Sequence, residues 1–359
     1  MSKIVFLGDT HFSVRNGSQH FHKFFETFYS ETFFPYLIHN KIDTVIQLGD
    51  LYDPRVKIST NCASESNRYF FSKFDEYNIK LIALVGNHDS HFKESIAVNT
   101  PDLLLGIYNN IEIINSPVTK IFDCVSINLV PWICKENYDQ CVKFIKKAKA
   151  TMCVGHFELA GFKMYKNSIT AEHGLTTELF SGYDTVLSGH YHHRSKKGNI
   201  EYIGTPYEMT WSDYDDQKGF YVFDTETREM EFVENPKAIF HLINYNDTEI
   251  GDKSTSDNMY LDPVFLNQFT NTYVKVKVEA KNNPYMFDLF LDKLYAMNPL
   301  DVSTIEDIVN IDTDESIDES DDTLTITYKY IDNINQQDLD TIKLKNIMNN
   351  LYNDALAVE

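Results

Sequence analysis

Ile4-Val5-Phe6-Leu7-Gly8-Asp9-Thr10-His11 stands at the head of the chain: four apolar residues run into a glycine, then into a carboxylate and an imidazole two positions apart. A short unbroken apolar run closed by glycine reads as a strand buried on both faces, as in a parallel sheet. The layout recurs four times. Thr44-Val45-Ile46-Gln47-Leu48 leads into Gly49-Asp50-Leu51-Tyr52-Asp53, and Leu81-Ile82-Ala83-Leu84-Val85 into Gly86-Asn87-His88-Asp89. Thr151-Met152-Cys153-Val154 precedes Gly155-His156, and Thr185-Val186-Leu187-Ser188 precedes Gly189-His190-Tyr191-His192. The expected fold class is therefore α/β, with polar residues gathered where strands end, the place where loops of open α/β sheets converge on ligands.

Any one of these motifs is common turn chemistry, and an Asp after a strand is often a helix cap. Five in order, each behind an apolar run, point instead to ligands for two divalent metal ions. Two ions about 3.5–4 Å apart need a shared anion, and Asp50 is the candidate bridge. Asp9 and His11 can point at one ion and Asn87 and His156 at the other, while His190 and His192 divide between them. Oxygen and imidazole donors suit Mn²⁺, Fe²⁺ or Zn²⁺, and no motif contains the cysteines of a structural zinc site. His88 is one residue out of phase with Asn87, so it can face a scissile phosphate and donate a proton to the leaving oxygen, with Asp89 orienting it. Asp53 either approaches the substrate side or caps the chain before Pro54. The reaction implied is hydrolysis of a phosphoester by activated water. His20, His22, His39, His91, His173, His193 and His241 match no motif position and read as surface or hydrogen-bonded core residues.

These motifs resemble those of the calcineurin-like metallophosphoesterases. Leu129-Val130-Pro131-Trp132, Cys153-Val154-Gly155-His156-Phe157-Glu158-Leu159, Ile203-Gly204-Thr205-Pro206 and Lys218-Gly219-Phe220 are similar to the repair-nuclease branch represented by SbcD and the meiotic-recombination-eleven nucleases, phage members included. The resemblance is strong over residues 3–235 and weak beyond. It implies an α/β/β/α two-sheet sandwich, with Asp9, His11, Asp50 and His192 holding one metal and Asp50, Asn87, His156 and His190 the other. It implies Mn²⁺ as the preferred ion (Mg²⁺, Fe²⁺ or Zn²⁺ being alternatives), His88 as the catalytic histidine, DNA ends and single strands as substrate, an SbcC-type SMC-like ATPase as partner, and a homodimer. Cellular eukaryotic and archaeal members carry a histidine where this chain has Asp53; bacterial and phage members resemble this chain there. A phosphatase or nucleotidase for small esters would share all five motifs, and a non-cutting scaffold for the ATPase and DNA is the reading from another class.

With 359 residues and 43% hydrophobic content, the chain suits two or three compact units. The divisions expected are a catalytic domain over 1–235, a small α+β capping domain over 236–311, an acidic linker over 312–322 and a helical docking segment for the ATPase over 323–359. Tyr221-Val222-Phe223-Asp224 and Met230-Glu231-Phe232-Val233 read as closing strands of a second, antiparallel-rich sheet. Tyr273-Val274-Lys275-Val276-Lys277-Val278 alternates as a strand, and Pro284 to Met297 carries a helical stripe. Leu344, Ile347, Met348 and Leu351 share one helix face. The aromatic cluster Tyr69, Phe70, Phe71 and Phe74 beside Arg68 exceeds what one core face normally needs and reads as a partner surface.

The net charge of −21 is unusual for a DNA-binding chain, since cationic contacts to phosphate dominate affinity. Residues 301–322 alone hold ten acidic residues and no Lys or Arg, so the rest of the chain carries −11. Arg194, Lys196 and Lys197, and the helix lysines Lys143, Lys146, Lys147 and Lys149, are the candidate phosphate contacts; a solvated helix face is the plainer reading of the latter group. Five cysteines (Cys62, Cys124, Cys134, Cys141 and Cys153) without metal-type spacing read as reduced thiols. With no membrane-length apolar run and no signal-peptide layout, the expectation is a soluble protein of the cytoplasm, that of an infected bacterium if viral.

Overall fold

The computed structural model describes residues 2–147, 150–248 and 258–306, together with 328, 331, 341, 343–345 and 348. Two compact units divide the chain, Met1–Pro236 with Glu319–Glu359, and Lys237–Asp318. The acidic stretch 312–322 lies outside the described residues, as do Lys149, Ile347 and Leu351; Leu344 and Met348 are helical.

In the first unit, β1 (Lys3–Leu7), β2 (Thr44–Gln47) and β3 (Lys80–Leu84) run parallel, with Val5 opposite Val45 and Ile46 opposite Ile82. A small hairpin of β4 (Ser90–Phe92) and β5 (Ser95–Asn99) comes next, and β6 (Ile111–Ile114) returns parallel to β3. The chain then crosses to a second six-stranded sheet made of β7 (Val118–Phe122), β8 (Val125–Val130), β9 (Met152–Gly155), β10 (Thr185–Ser188), β11 (Ser195–Lys197) and β12 (Ile200–Tyr202). Its order is β11-β12-β10-β9-β8-β7, with a parallel centre and antiparallel edges.

The next two strands correct the sequence reading. β13 (Gly219–Asp224) and β14 (Met230–Glu234) do not close the second sheet but extend the first, whose order is β14-β13-β1-β2-β3-β6. β13 is apolar on both faces and needs cover on both. Tyr221 and Phe223 join the core between the sheets, while Phe220 packs on the rings of Phe28, Phe33 and Tyr36 on the other side. A place beside β1 supplies that cover.

The same alternation builds the layers. Ile4 and Phe6, Ile46, and Ile82 and Leu84 of the first sheet meet Val125, Ile127, Leu129, Met152, Val154 and Leu187 of the second in one buried cluster. Cys141, Ile145, Cys153, Val186, Ile200 and Tyr202 form the core between the second sheet and the helix Tyr138–Lys147. The arrangement is an α/β/β/α sandwich.

Helices cover the outer face of the first sheet in two runs. Gln19–Phe28 passes through a π-helical turn, Tyr29–Phe33, into Phe34–His39, and Thr60–Ser66 passes through Asn67–Phe71 into Ser72–Glu76. A π turn inserts an extra residue and rotates the helix beyond it, so consecutive aromatics can all turn inward. Tyr69, Phe70, Phe71 and Phe74 are buried in their own chain; Phe70 lies 4.6 Å from the Tyr29 ring and 5.2 Å from Phe12. The aromatic cluster is thus core rather than a partner surface, and only Arg68 faces out, paired with Glu26 and Glu65.

The second unit holds a parallel sheet of β15 (Phe240–Asn246), β16 (Tyr273–Ala280) and β17 (Asp301–Glu306). Val274, Val276 and Val278 pack against Phe287, Phe290 and Leu294 of the helix Pro284–Tyr295. Asn283 caps that helix by accepting from the Met286 amide, and the helix stops short of Met297, ahead of the left-handed Asn298. No helix among the described residues is long and apolar enough to cross a membrane.

Candidate metal centre

All five glycine motifs leave the carboxyl ends of their strands, three from the first sheet and two from the second, and their side chains converge. The turns are tight enough to force unusual backbone. His11, Asp50 and His190 hold φ of 43°, 54° and 82°, a region that non-glycine residues enter rarely and mostly at functional sites. Gly49, at φ +103°, lies so close to His156 that a Cβ would stand 2.5 Å from its Nδ1. At Gly86 a Cβ would meet the Asp50 amide at 2.2 Å.

Three clusters of ligand atoms result: Asp9 with His11 and His192, Asp50 with His156 and His190, and His11 with Asp53 and His88. Asp50 links the first two. Its Oδ2 lies 3.2 Å from His156 Nε2 and 3.8 Å from His11 Nε2. His11 Nε2 is 3.2 Å from His192 Nε2. The amide end of Asn87 is 2.8 Å from His156 Nε2 and 2.9 Å from His190 Nδ1. His156 Nδ1 donates to the Leu48 carbonyl at 2.8 Å, which fixes the tautomer and leaves Nε2 toward Asn87 and Asp50. The His190 amide donates to both oxygens of Asp9 at 3.1 and 2.9 Å.

The electrostatics test whether this donor set suits cations. Burial pushes Asp9 up to about 7 even against His156. Burial opposes charge on His156, but Asp50 and Asp9 outweigh it and raise this imidazole to about 9. His11 is likewise raised to about 9 by Asp53, Asp50 and Asp9 against burial. His190 falls to about 3 through burial and the neighbouring His156. Two carboxylates and four imidazoles therefore sit in a buried space where the carboxylates favour positive charge, as the raised His11 and His156 show. The buried Nδ1 of His192 has no hydrogen-bond partner among the described residues. Oxygen and imidazole donors without thiolate fit hard-to-borderline divalent ions.

Around this focus the supporting contacts differ from the sequence reading. Asp89 does not orient His88. Its Oδ1 accepts the Leu51 and Tyr52 amides at 2.9 and 3.2 Å, and its Oδ2 the Gly86 amide at 2.8 Å, which ties the Asp50 turn to the Asn87 turn. His88 is oriented by Asp53 instead, donating from Nδ1 to the Asp53 carbonyl at 2.6 Å, while its own amide reaches Asp50 Oδ1 at 2.7 Å. Burial holds His88 below the usual histidine value. The Asp53 carboxylate turns the other way, 3.2 Å from His11 Nδ1.

Two supports were not singled out from sequence. Gln47 bridges Gly8 and Gly49 through its amide. Lys218 is buried and donates to the His192 carbonyl at 3.0 Å and to Asp213 and Asp216 at 2.8 and 3.1 Å. A buried Lys is rare enough to be a signal in hindsight, but its letter alone does not show what it touches. Three of the cations expected to meet phosphate are engaged at home. Arg194 lies over the Phe232 ring at 4.1 Å and bonds Gln217 and Tyr221; Lys196 pairs with Glu201, and Lys197 donates to the Gly161 carbonyl. Lys143, Lys146 and Lys147 are exposed. Among the unassigned histidines, His193 pairs with Asp216 and His22 with the Tyr69 hydroxyl. All five cysteines are free thiols.

Residues 2–194 match the calcineurin-like phosphoesterase model. The chain belongs to that family. It is 35% identical to exonuclease subunit 1 of Enterobacteria phage T4 over 318 residues, 88% of each chain. It is 24% identical over 256 residues to the SbcD component of the SbcCD nuclease of Staphylococcus epidermidis, covering 64% of this chain and 67% of that one. Among solved structures, an archaeal phosphodiesterase matches at 13% identity and a TM-score of 0.34, covering 65% of this chain and 99% of that one. The family is one of phosphoester hydrolases that use divalent metal ions, and among the described residues the clusters above are candidates to hold them.

Proposed function

We propose that this chain is the nuclease subunit of a DNA recombination and repair complex, hydrolysing phosphodiesters at duplex ends and in single strands with Mn²⁺ and working with an SMC-like ATPase. The observation that carries this is the convergence of Asp9, His11, Asp50, Asn87, His156, His190 and His192 from both sheets, in a chain whose relatives are named as an exonuclease subunit and as a component of the SbcCD nuclease.

In this reading Asp9, His11, Asp50 and His192 hold one ion and Asp50, Asn87, His156 and His190 the other. When bound, such ions polarise the phosphoryl group and make water acidic enough to attack it near neutral pH. The protein's own groups do the positioning. Asp89 locks the Asp50 and Asn87 turns together, Lys218 holds the His192 turn, and Asp53 aims His88. As water's oxygen bonds to phosphorus and gives up its proton to solvent, the ester P–O bond breaks; His88, having first taken a second proton at Nε2 from solvent, passes that proton to the departing oxygen.

Residues 236–311 serve as the capping domain that guides DNA, 312–322 as an acidic linker and 323–359 as the segment docking the ATPase. Arg194, Lys196 and Lys197 are engaged within the chain, and the partner helps to hold the duplex. The homodimer belongs to the same proposal, although its surface cannot be the buried aromatics beside Arg68.

The test is Mn²⁺-dependent degradation of end-labelled linear DNA by the purified chain and by His88→Asn, beside a small chromogenic phosphodiester. DNA cleavage that falls by about 10²–10⁴-fold in the variant, as expected for loss of a positioned proton donor, supports the reading. Turnover of the small ester alone would make this a small-ester hydrolase.

A further inference from the structure

A cavity of about 250 Å³ opens beside the candidate metal centre, walled by Trp132, Tyr138, Phe157 and Glu158 and by His156 itself. Trp132 joins the two features. Its ring lies 5.2 Å from His190 and 5.9 Å from His156, and its backbone is pinned by Val85 and Asn137. Whatever sits in this cavity therefore touches His156 of the Asp50, His156 and His190 cluster and the Trp132 ring that packs on His190.

The chemistry of the walls selects which part of a nucleotide enters. Glu158 repels a phosphate; one of its oxygens already pairs with His173 Nε2 at 2.9 Å, and the other can accept from an amino group. Trp132 and the half-exposed Tyr138 offer flat apolar faces. The volume falls just below that of drug-sized pockets and suits one planar ring system rather than a base pair. We propose that this cavity is a nucleobase pocket that stacks an amino-bearing base, adenine, cytosine or guanine, of a nucleotide flanking the scissile linkage. The inference rests on the nuclease reading and gives it a consequence. A base reaches such a pocket only after leaving its stack, so the site takes unpaired or frayed strands ahead of closed duplex.

The first experiment needs no cleavage. In a Trp211→Phe background, which leaves Trp132 as the remaining tryptophan, dAMP should quench the fluorescence saturably, whereas deoxyribose 5-phosphate should not. Equal quenching by both overturns the pocket. The second pairs enzyme and substrate changes on single-stranded DNA. Loss of base–aromatic stacking should raise KM about tenfold for Trp132→Ala, with Trp132→Phe retaining most of the affinity. A substrate made abasic at one of the two nucleotides flanking the terminal linkage should cost the wild type as much. On that substrate Trp132→Ala should lose nothing further, because the two changes remove one contact. Losses that multiply mean that Trp132 only supports the neighbouring histidines. If the wild type cuts no DNA at all, the nuclease reading fails and the quenching titration alone decides the pocket.

Discussion

Replacing Lys218 by Met removes the cation from a buried ionic triad. The Lys218 ammonium donates to Asp213 at 2.8 Å, Asp216 at 3.1 Å and the His192 carbonyl at 3.0 Å, and the side chains of Lys218, Asp213 and Asp216 are 3%, 0% and 6% exposed. Solvent therefore screens little of the interaction. Removing one member of a buried pair strands the other charge and costs about 3–5 kcal/mol. Asp213 Oδ2 would still accept from the Met209 and Thr210 amides, and Asp216 would keep His193, so the lower half, about 3–4 kcal/mol, is expected. For a unit of this size that is a fall of about 6–16 °C in Tm. Burial works against the charge on Lys218, but Asp213 and Asp216 outweigh it and hold the group above the usual lysine range. The stabilisation is then complete below the unfolded lysine value and lost only as pH rises through the folded one. Asp216 is held low by His193 and Lys218 against burial, so its share is present above the ordinary carboxylate value and lost as pH falls through its folded one. Between about pH 7.5 and 9 neither Lys218 nor Asp216 titrates, nor does a histidine of ordinary value, and the deficit should be flat. Urea unfolding of the wild type, Lys218→Met, Asp213→Asn and the double variant measures it, and the double variant should recover part of the loss because the charge stranded on Asp213 is then gone. A deficit under about 1 kcal/mol, the range of an exposed pair, would refute the triad as a structural anchor of the His192 turn.

Asp53→Asn should lower Mn²⁺ affinity by about 10–100-fold, the usual effect of losing a partner behind a ligating imidazole, while the backbone carbonyl still aims His88; calorimetric titration that finds the affinity unchanged would return Asp53 to a capping role. Gly49→Ala should cost about 1–3 kcal/mol of backbone strain, and its Cβ, 2.5 Å from His156 Nδ1, should displace that imidazole and abolish one of two Mn²⁺ binding events. A calorimetric stoichiometry still equal to that of the wild type would show that the turn relaxes without moving His156.

How much of the fold is readable in sequence depends on the appearance of a parallel strand. A strand covered on both faces is a continuous apolar run, so β1, β2, β3, β9 and β10 fall within a residue of where the runs place them. The same uniformity hides sheet membership. Nothing in Thr185-Val186-Leu187-Ser188 distinguishes it from Thr44-Val45-Ile46-Gln47, yet one lies in the second sheet and the other in the first. Reading Tyr221 to Asp224 from its letters puts it in the wrong sheet for that reason. The candidate ligands are legible because each is a polar letter at a strand end; the contacts of their neighbours are not. Asp89 directly succeeds His88, and adjacency suggests contact. The carboxylate turns instead to three backbone amides, while the left-handed Asp50 brings its turn within reach. Side-chain direction at such turns is set by φ, which composition does not encode except where glycine is compulsory. Gly49 and Gly86 are compulsory here because imidazole and backbone pass where a Cβ would be. The glycines that mark each motif therefore record the close approach of the turns, and that approach is what lets two separate sheets present one set of ligands.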